Sequence, residues 1–296
     1  MLEQVEQARR EVIEGLFGQP GRLGHENTFR RMWDSGWRNA ISGALGSTPG
    51  PDDLIRLGSK LSDLFLTMRG DGGRAQSILA GAGVAWESLV AWYLNLCLLG
   101  STAWVTKKRS SIPGPVRDAL SISYRGVDSN SESDLVAVTF DEAIPQGADP
   151  EAPLEHLVQK YFSQLVVVVI QCKTNWNDNS QIPMLWSLVY DILREASVVG
   201  ITMGRNGRRL QRFSYAFVTI PTNDPSRITP QSIIARRVQN LSGGNYWGRP
   251  TKQGVAKSLY EIFNSGPIGP RGGSQVNQSF EAYAGAHGIP DYFRLR

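Results

Sequence analysis

Asp134, Gln171, Lys173 and Glu87 are the residues of this chain whose types and spacing can do chemistry together. Asp134 stands in Ser131-Glu-Ser-Asp134-Leu, directly before the β-rich stretch Leu135–Phe140 (LVAVTF). Gln171 and Lys173 flank Cys172 at the end of Leu165–Cys172 (LVVVVIQC). That run is β-branched and apolar on both faces, as a central strand needs. Strand alternation puts Gln171 and Lys173 on one face. Glu87 is the only charged residue between Arg74 and Lys107. It sits inside an apolar helical stretch, where an unpartnered carboxylate is costly. A carboxylate and a second oxygen ligand at adjacent strand ends can hold Mg²⁺, a hard ion that prefers oxygen. The metal stabilises charge developing at phosphorus and lowers the pKa of a bound water. A lysine beside it orients or deprotonates that water and balances negative charge. The chemistry expected of the set is metal-assisted phosphodiester hydrolysis.

Each residue also has a plain structural reading. Lys173 can be a solvated strand-end lysine, Asp134 a turn or cap residue, and Glu87 a core salt-bridge partner. Asp128, Glu132 and Asp141 are rival acids, ranked below Asp134 because Asp134 directly precedes its strand. Cys172 reads as a small buried apolar residue rather than a nucleophile, with no histidine near it in sequence.

Positioning these residues requires an α/β (α+β) core with a central mixed β-sheet flanked by helices. Residues 1–70 are helical in pattern, with amphipathic stretches over Leu2–Phe17, Phe29–Trp37 and Asp52–Met68. Gly43–Pro51 and Gly70–Gly73 read as loops. Ala80–Leu99 reads as a buried helix, Ala103–Thr106, Ser121–Tyr124 and Leu135–Phe140 as strands, and Leu154–Phe162 as a short helix. A helix runs from near Pro183 to about Ala196, and Phe213–Ile220 is a further buried strand. Beyond Pro221, Ile233–Val238 and Val255–Phe263 are helical, Gly243–Gly254 is loop-like, and Gly266–Gly273 is exposed. One domain over residues 1–296 is expected: a helical region to 70, a core over 81–220 and a basic extension over 221–296.

Asp134, a connecting segment, and then Gln-x-Lys at the end of a strongly apolar strand resemble the PD-(D/E)xK nuclease superfamily, with type II restriction endonucleases as the best-matched branch. The resemblance covers Gly81 to Ile220. It implies a restriction-endonuclease-like core, with Asp134 as a metal-ligating aspartate, Gln171 in the Asp/Glu position, Lys173 as the catalytic lysine and the Cys172 carbonyl as a further ligand. Glu87 matches the acid that some members contribute from the first core helix, a placement that compensates for a neutral Gln171. The chain departs from the pattern at Ser133, in place of proline, and at Gln171, in place of an acid. The connection from Asp134 to Lys173 spans 39 residues, which an insertion around 141–153 explains.

Charge supports a polyanionic partner. Residues 200–296 hold 13 Lys/Arg and 4 Asp/Glu, giving +9 against +4 for the whole chain. Much of the opposing negative charge lies between Glu132 and Glu155. A basic portion beside an acidic one suits a protein that grips a polyanion and holds a cation. Expected DNA contacts are Asn175, Asn177 and Asn179 after the site, Lys107 and Lys108, the basic loop with Arg205, Arg208 and Arg209, and Arg236 with Arg237. Two cysteines and three dispersed histidines exclude a disulfide scaffold and a zinc enzyme of familiar spacing. The apolar run Val84–Leu99 has 16 residues and contains Glu87 and Asn95, short for a membrane span of roughly 20 residues. Residues 1–14 are charged rather than apolar, which predicts a cytoplasmic protein. The expectation is a Mg²⁺-dependent endonuclease cutting double-stranded DNA at a short site as a homodimer. A structure-specific or repair nuclease of the same core, or a catalytically dead DNA-binding module, are the alternatives.

Overall fold

The computed structural model of the chain describes residues 1–18, 28–68, 76–107, 109–125, 127–129, 133–140, 152–174, 201–203, 209–220, 228–240, 244–249, 255–264 and 273–296. Helices α1 (Leu2–Phe17), α2 (Thr28–Met32), α3 (Arg38–Leu45), α4 (Pro51–Met68) and α5 (Gln76–Cys97) precede strand β1 (Ala103–Thr106). There follow α6 (Gly114–Ala119), β2 (Ile122–Tyr124), β3 (Val127–Ser129), β4 (Leu135–Phe140), α7 (Leu154–Lys160) and β5 (Leu165–Lys173). The chain closes with β6 (Ile201–Met203), β7 (Arg212–Thr219), α8 (Ile233–Asn240), β8 (Asn245–Tyr246) and α9 (Gly273–His287).

The main sheet has the order β1-β4-β5-β7-β8. β1 and β5 both run antiparallel to β4, whereas β5, β7 and β8 are mutually parallel. The sheet is therefore mixed, and helices cover both faces. Alternation sorts the strand side chains cleanly. Leu135 and Ala137 of β4, Val166, Val168, Ile170 and Cys172 of β5, and Ala216 and Val218 of β7 enter one apolar layer. That layer also holds α5, the N-terminal helices and Val276 and Phe280 of α9. Val136, Val138 and Phe140, then Val167 and Val169, then Tyr215 and Phe217 enter the opposite layer, with Val116, Leu157 and Val238 of α6, α7 and α8.

The continuous apolar character of β5 follows from this: it lies centrally, with apolar packing on both faces. Helix α5 is apolar nearly all round because it is enclosed, with Trp86, Leu89, Val90, Trp92, Tyr93 and Leu94 fully buried. The turn that follows it closes at Gly100, whose φ of +74° is a left-handed conformation. A Cβ there would also lie 2.6 Å from the Ser279 carbonyl, so glycine is required on both counts. Two polar groups set α5 against the sheet. Asn95 donates to the carbonyls of Ala91 and Val105 and accepts from the Val105 N–H, pairing with β1 at the edge of the sheet. Arg9 of α1 is buried and donates to the carbonyls of Leu98, Ser101 and Ala103, tying the turn between α5 and β1. Glu6 is its ion-pair partner and accepts from the Tyr292 hydroxyl.

The structure departs from the sequence reading at several elements. Phe29–Trp37 is not one helix: a widened turn over Trp33–Trp37 joins α2 to α3 and keeps both tryptophans buried. Ser121–Tyr124 does yield a strand, β2, but it pairs with β3 and β6 in a separate three-stranded sheet. The expected loop Gly243–Gly254 contains β8, which is two residues long and held by a Phe217 N–H to Gly244 carbonyl bond of 2.8 Å. Within Val255–Phe263 only Leu259–Phe263 is helical, as a 3₁₀ turn opened by a Ser258/Glu261 capping box. Helix α9 has no counterpart in the sequence reading; Val276 and Phe280 are its buried apolar side chains, too few to mark a period. The helix expected from Pro183 to Ala196 lies outside the described residues.

Candidate active site

The cross-strand register brings Asp134 to Gln171. β4 and β5 pair Leu135 with Ile170, so the next position outward sets Asp134 opposite Gln171. Alternation keeps Asp134, Gln171 and Lys173 on the same face. The contacts agree: the Gln171 side-chain amide donates to Asp134 Oδ2 at 2.6 Å, and the Cys172 N–H donates to the same oxygen at 2.7 Å. Lys173 Nζ lies 3.6 Å from that oxygen. Asp134 is 17 % exposed and Lys173 26 % exposed. Gln171 is buried, and its Oε1 has no hydrogen-bond partner among the described residues.

Glu87 and Lys107 reach the same end of the sheet from the α5 side. Lys107 follows β1 immediately, level with the start of β4. Its Nζ lies 3.0 Å from Glu87 Oε2 and donates to the Val84 carbonyl at 2.8 Å and the Ser88 hydroxyl at 3.0 Å. Three ammonium protons thus meet three acceptors. Glu87 has the salt-bridge partner that its apolar setting calls for.

The two pairs share one electrostatic neighbourhood. Burial pushes the Asp134 carboxyl up to about 6, against the pull of Lys173 and the Cys172 N–H; the charge of Glu87 raises it further. The Cys172 thiol is likewise held well above its ordinary range by burial, and it feels Asp134, Glu87, Lys107 and Lys173 together. These four charged side chains surround the end of β5. A raised carboxyl beside a specific cation, at a strand end, is a mark of functional sites.

A hard cation is the group this donor set suits. Among the described residues no trio of His, Cys, Asp and Glu side chains clusters, so two carboxylates must be completed by neutral oxygens. The buried Gln171 Oε1 lacks a partner among the described residues, as a ligand oxygen would without its ion. The Cys172 carbonyl leaves β5 on the same side as its N–H, toward Asp134. Four oxygens of this kind fit Mg²⁺.

Not every expected residue is at this site. Lys107, expected on a DNA-facing surface, is committed to Glu87. Arg209 is exposed, as are Arg236 and Arg237 on α8. Lys108, Asn175, Asn177, Asn179, Arg205 and Arg208 lie outside the described residues. Of the rival acids, Asp128 pairs with Ser123 in the small sheet, while Glu132 and Asp141 lie outside the described residues. The sequence reading misses two neighbours. Thr219 stands beside Lys173 in the parallel β5–β7 register, fully buried, its hydroxyl without a partner among the described residues. Tyr215 is close enough for Asp134 to help hold its phenol un-ionised, after burial. Only the β5–β7 register reveals them, and a single sequence does not carry a register between distant strands. Comparison with protein-family models, with curated proteins and with solved structures gives no match.

Proposed function

We propose that this chain is a Mg²⁺-dependent endodeoxyribonuclease that cuts double-stranded DNA at a specific short site, in the manner of type II restriction enzymes. The observation that carries the reading is the cross-strand register that sets Asp134 against Gln171, with Lys173 two residues on and on the same face. The element order supports it. A buried helix, three strands paired antiparallel in turn, and a fourth strand parallel to the third would serve a restriction-endonuclease-like core of the kind the motif implies.

In this reading Asp134, Glu87, Gln171 Oε1 and the Cys172 carbonyl hold the ion. Bound there, Mg²⁺ supplies Lewis acidity: it offsets the charge that grows on the phosphoryl oxygens and acidifies the attacking water. The remaining work belongs to the chain. Two donors fix Asp134 through Oδ2, which leaves Oδ1 for the cation. Among the described residues Lys173 has one long contact, to Asp134. It orients the attacking water and donates to a phosphoryl oxygen. The water oxygen bonds to phosphorus and gives up one proton to solvent, one ester P–O bond opens in line with it, and the departing oxygen takes a proton from a solvent water. Exposed Arg209, Arg236 and Arg237 supply phosphate contacts, and two copies of the chain meet the two halves of a two-fold site.

Digestion of unmethylated phage DNA with Mg²⁺, and in parallel with EDTA, tests this. Discrete fragments that require Mg²⁺ are expected. A smear, or cutting confined to branched DNA, would instead favour a repair or junction nuclease. The neutral Gln171 favours a second reading, a DNA-binding module with a degenerate site. Salt-sensitive binding without cutting would establish that reading.

A further inference from the structure

Among the described residues the charges at the end of β5 cancel. Glu87 pairs with Lys107 and Asp134 with Lys173, and Gln171 is neutral where the nuclease motif carries an acid. Two carboxylates and two ammonium groups sum to zero. Yet the site holds an oxygen ready for a ligand, since Gln171 Oε1 is buried and has no partner among the described residues. A dication entering a neutral site gains little Coulombic energy and leaves it at +2. A phosphodiester at the same place carries −1 and halves that excess to +1, so the ion is held better beside it. Lys107 causes the difference: it is saturated by Glu87, Val84 and Ser88, so it stays when the ion arrives. Lys173, with one long contact among the described residues, is the lysine left to touch substrate.

We infer that the site takes up its divalent cation together with a DNA phosphate rather than beforehand, with Lys107 as the resident counter-charge that makes ion binding depend on DNA. This rests on the nuclease reading above. The coupling is reciprocal: whatever factor DNA adds to cation affinity, the cation adds to DNA affinity. Lys107 is in this sense a positioning residue, because it sets the charge and place of Glu87 without touching the substrate.

Calorimetric titration of Ca²⁺ at pH 8 tests it. Ca²⁺ is a hard, oxygen-ligated probe and a weaker Lewis acid than Mg²⁺. It is titrated into the wild-type protein alone and bound to a duplex carrying the site found by digestion, with the duplex alone as reference. The bound complex is expected to take Ca²⁺ at least about tenfold more tightly than the free protein. Lys107→Met and Gln171→Glu each leave the free site at −1, and each is expected to bind Ca²⁺ about tenfold more tightly without DNA. Lys107→Arg keeps the charge and is expected to retain the wild-type affinity. A purely structural Lys107 would lower the melting temperature of Lys107→Met without raising Ca²⁺ affinity. If Lys107→Met fails to fold, Gln171→Glu decides alone. Equal Ca²⁺ affinity with and without DNA, or wild-type affinity in the folded charge variants, overturns the inference while leaving cleavage intact. Absence of cleavage or of DNA binding in the digest overturns the nuclease reading instead.

Discussion

At the scale of single residues, Asp134 is placed against its own stability. Its carboxyl is pushed up from an ordinary 3.8 to about 6, chiefly by burial. A folded-state value above the unfolded one means that protonated Asp134 favours the fold. That contribution is fully present below about pH 4 and is lost as pH rises through 6. Ionised Asp134 therefore costs the fold about 2–3 kcal/mol at neutral pH. An asparagine in its place would still accept from the Cys172 N–H, without a charge to desolvate. Asp134→Asn is expected to stabilise the protein by about 2 kcal/mol at pH 8 and by little at pH 4, as read from urea midpoints at both. An equal difference at the two pH values would show that Asp134 carries no such burden. Asp134, Gln171, Lys173 and Glu87 were legible in the sequence because each breaks its setting: a polar pair ending an apolar strand, an acid at a strand mouth, a lone charge in an apolar helix. The Lys107 partnership was not legible. Lys107 sits in a basic triplet that reads as surface, and only the packing of α5 beside β1 brings it to Glu87.

At the scale of elements, the site depends on how α5 is held against β1. Asn95 does this with three hydrogen bonds, two of them to the Val105 backbone. Asn95→Ala leaves that buried N–H and carbonyl without partners, and a loss of about 2–4 kcal/mol is expected in chemical denaturation. A loss below about 0.5 kcal/mol would show that water replaces the side chain freely. Arg9 is costlier to disturb. Its guanidinium is held below its ordinary pKa by burial, and its removal strands Glu6 and the carbonyls of Leu98, Ser101 and Ala103. Arg9→Ala is expected to cost about 3–5 kcal/mol by the same measurement. The strands β1, β4, β5 and β7 were legible because buried β-branched runs are unmistakable. β8 and α9 were not: a two-residue parallel strand has no period, and α9 buries few apolar residues.

At the scale of the whole molecule, residues 200–296 carry a net charge of +9, while among the described residues the site end pairs Glu87 with Lys107 and Asp134 with Lys173. Among the described residues no helix is long and apolar enough to cross a membrane. If Arg236 and Arg237 of α8 touch phosphate, replacing either with alanine weakens binding uniformly across sequences and lowers the slope of log affinity against log salt by about 1. An unchanged slope would take α8 out of the interface. The mixed sheet with helices on both faces was legible from the order of periodic segments; which strands neighbour each other was not, since pairing between distant segments leaves no mark in one sequence. The central claim is that the end of β5 cuts DNA, and the most direct measurement is the single-turnover cleavage rate of Lys173→Ala beside its DNA affinity in the presence of Mg²⁺. A loss of at least about 10²–10³ in rate is expected, with DNA affinity changed by less than about tenfold. Cleavage at the wild-type rate by the folded Lys173→Ala protein would contradict the account.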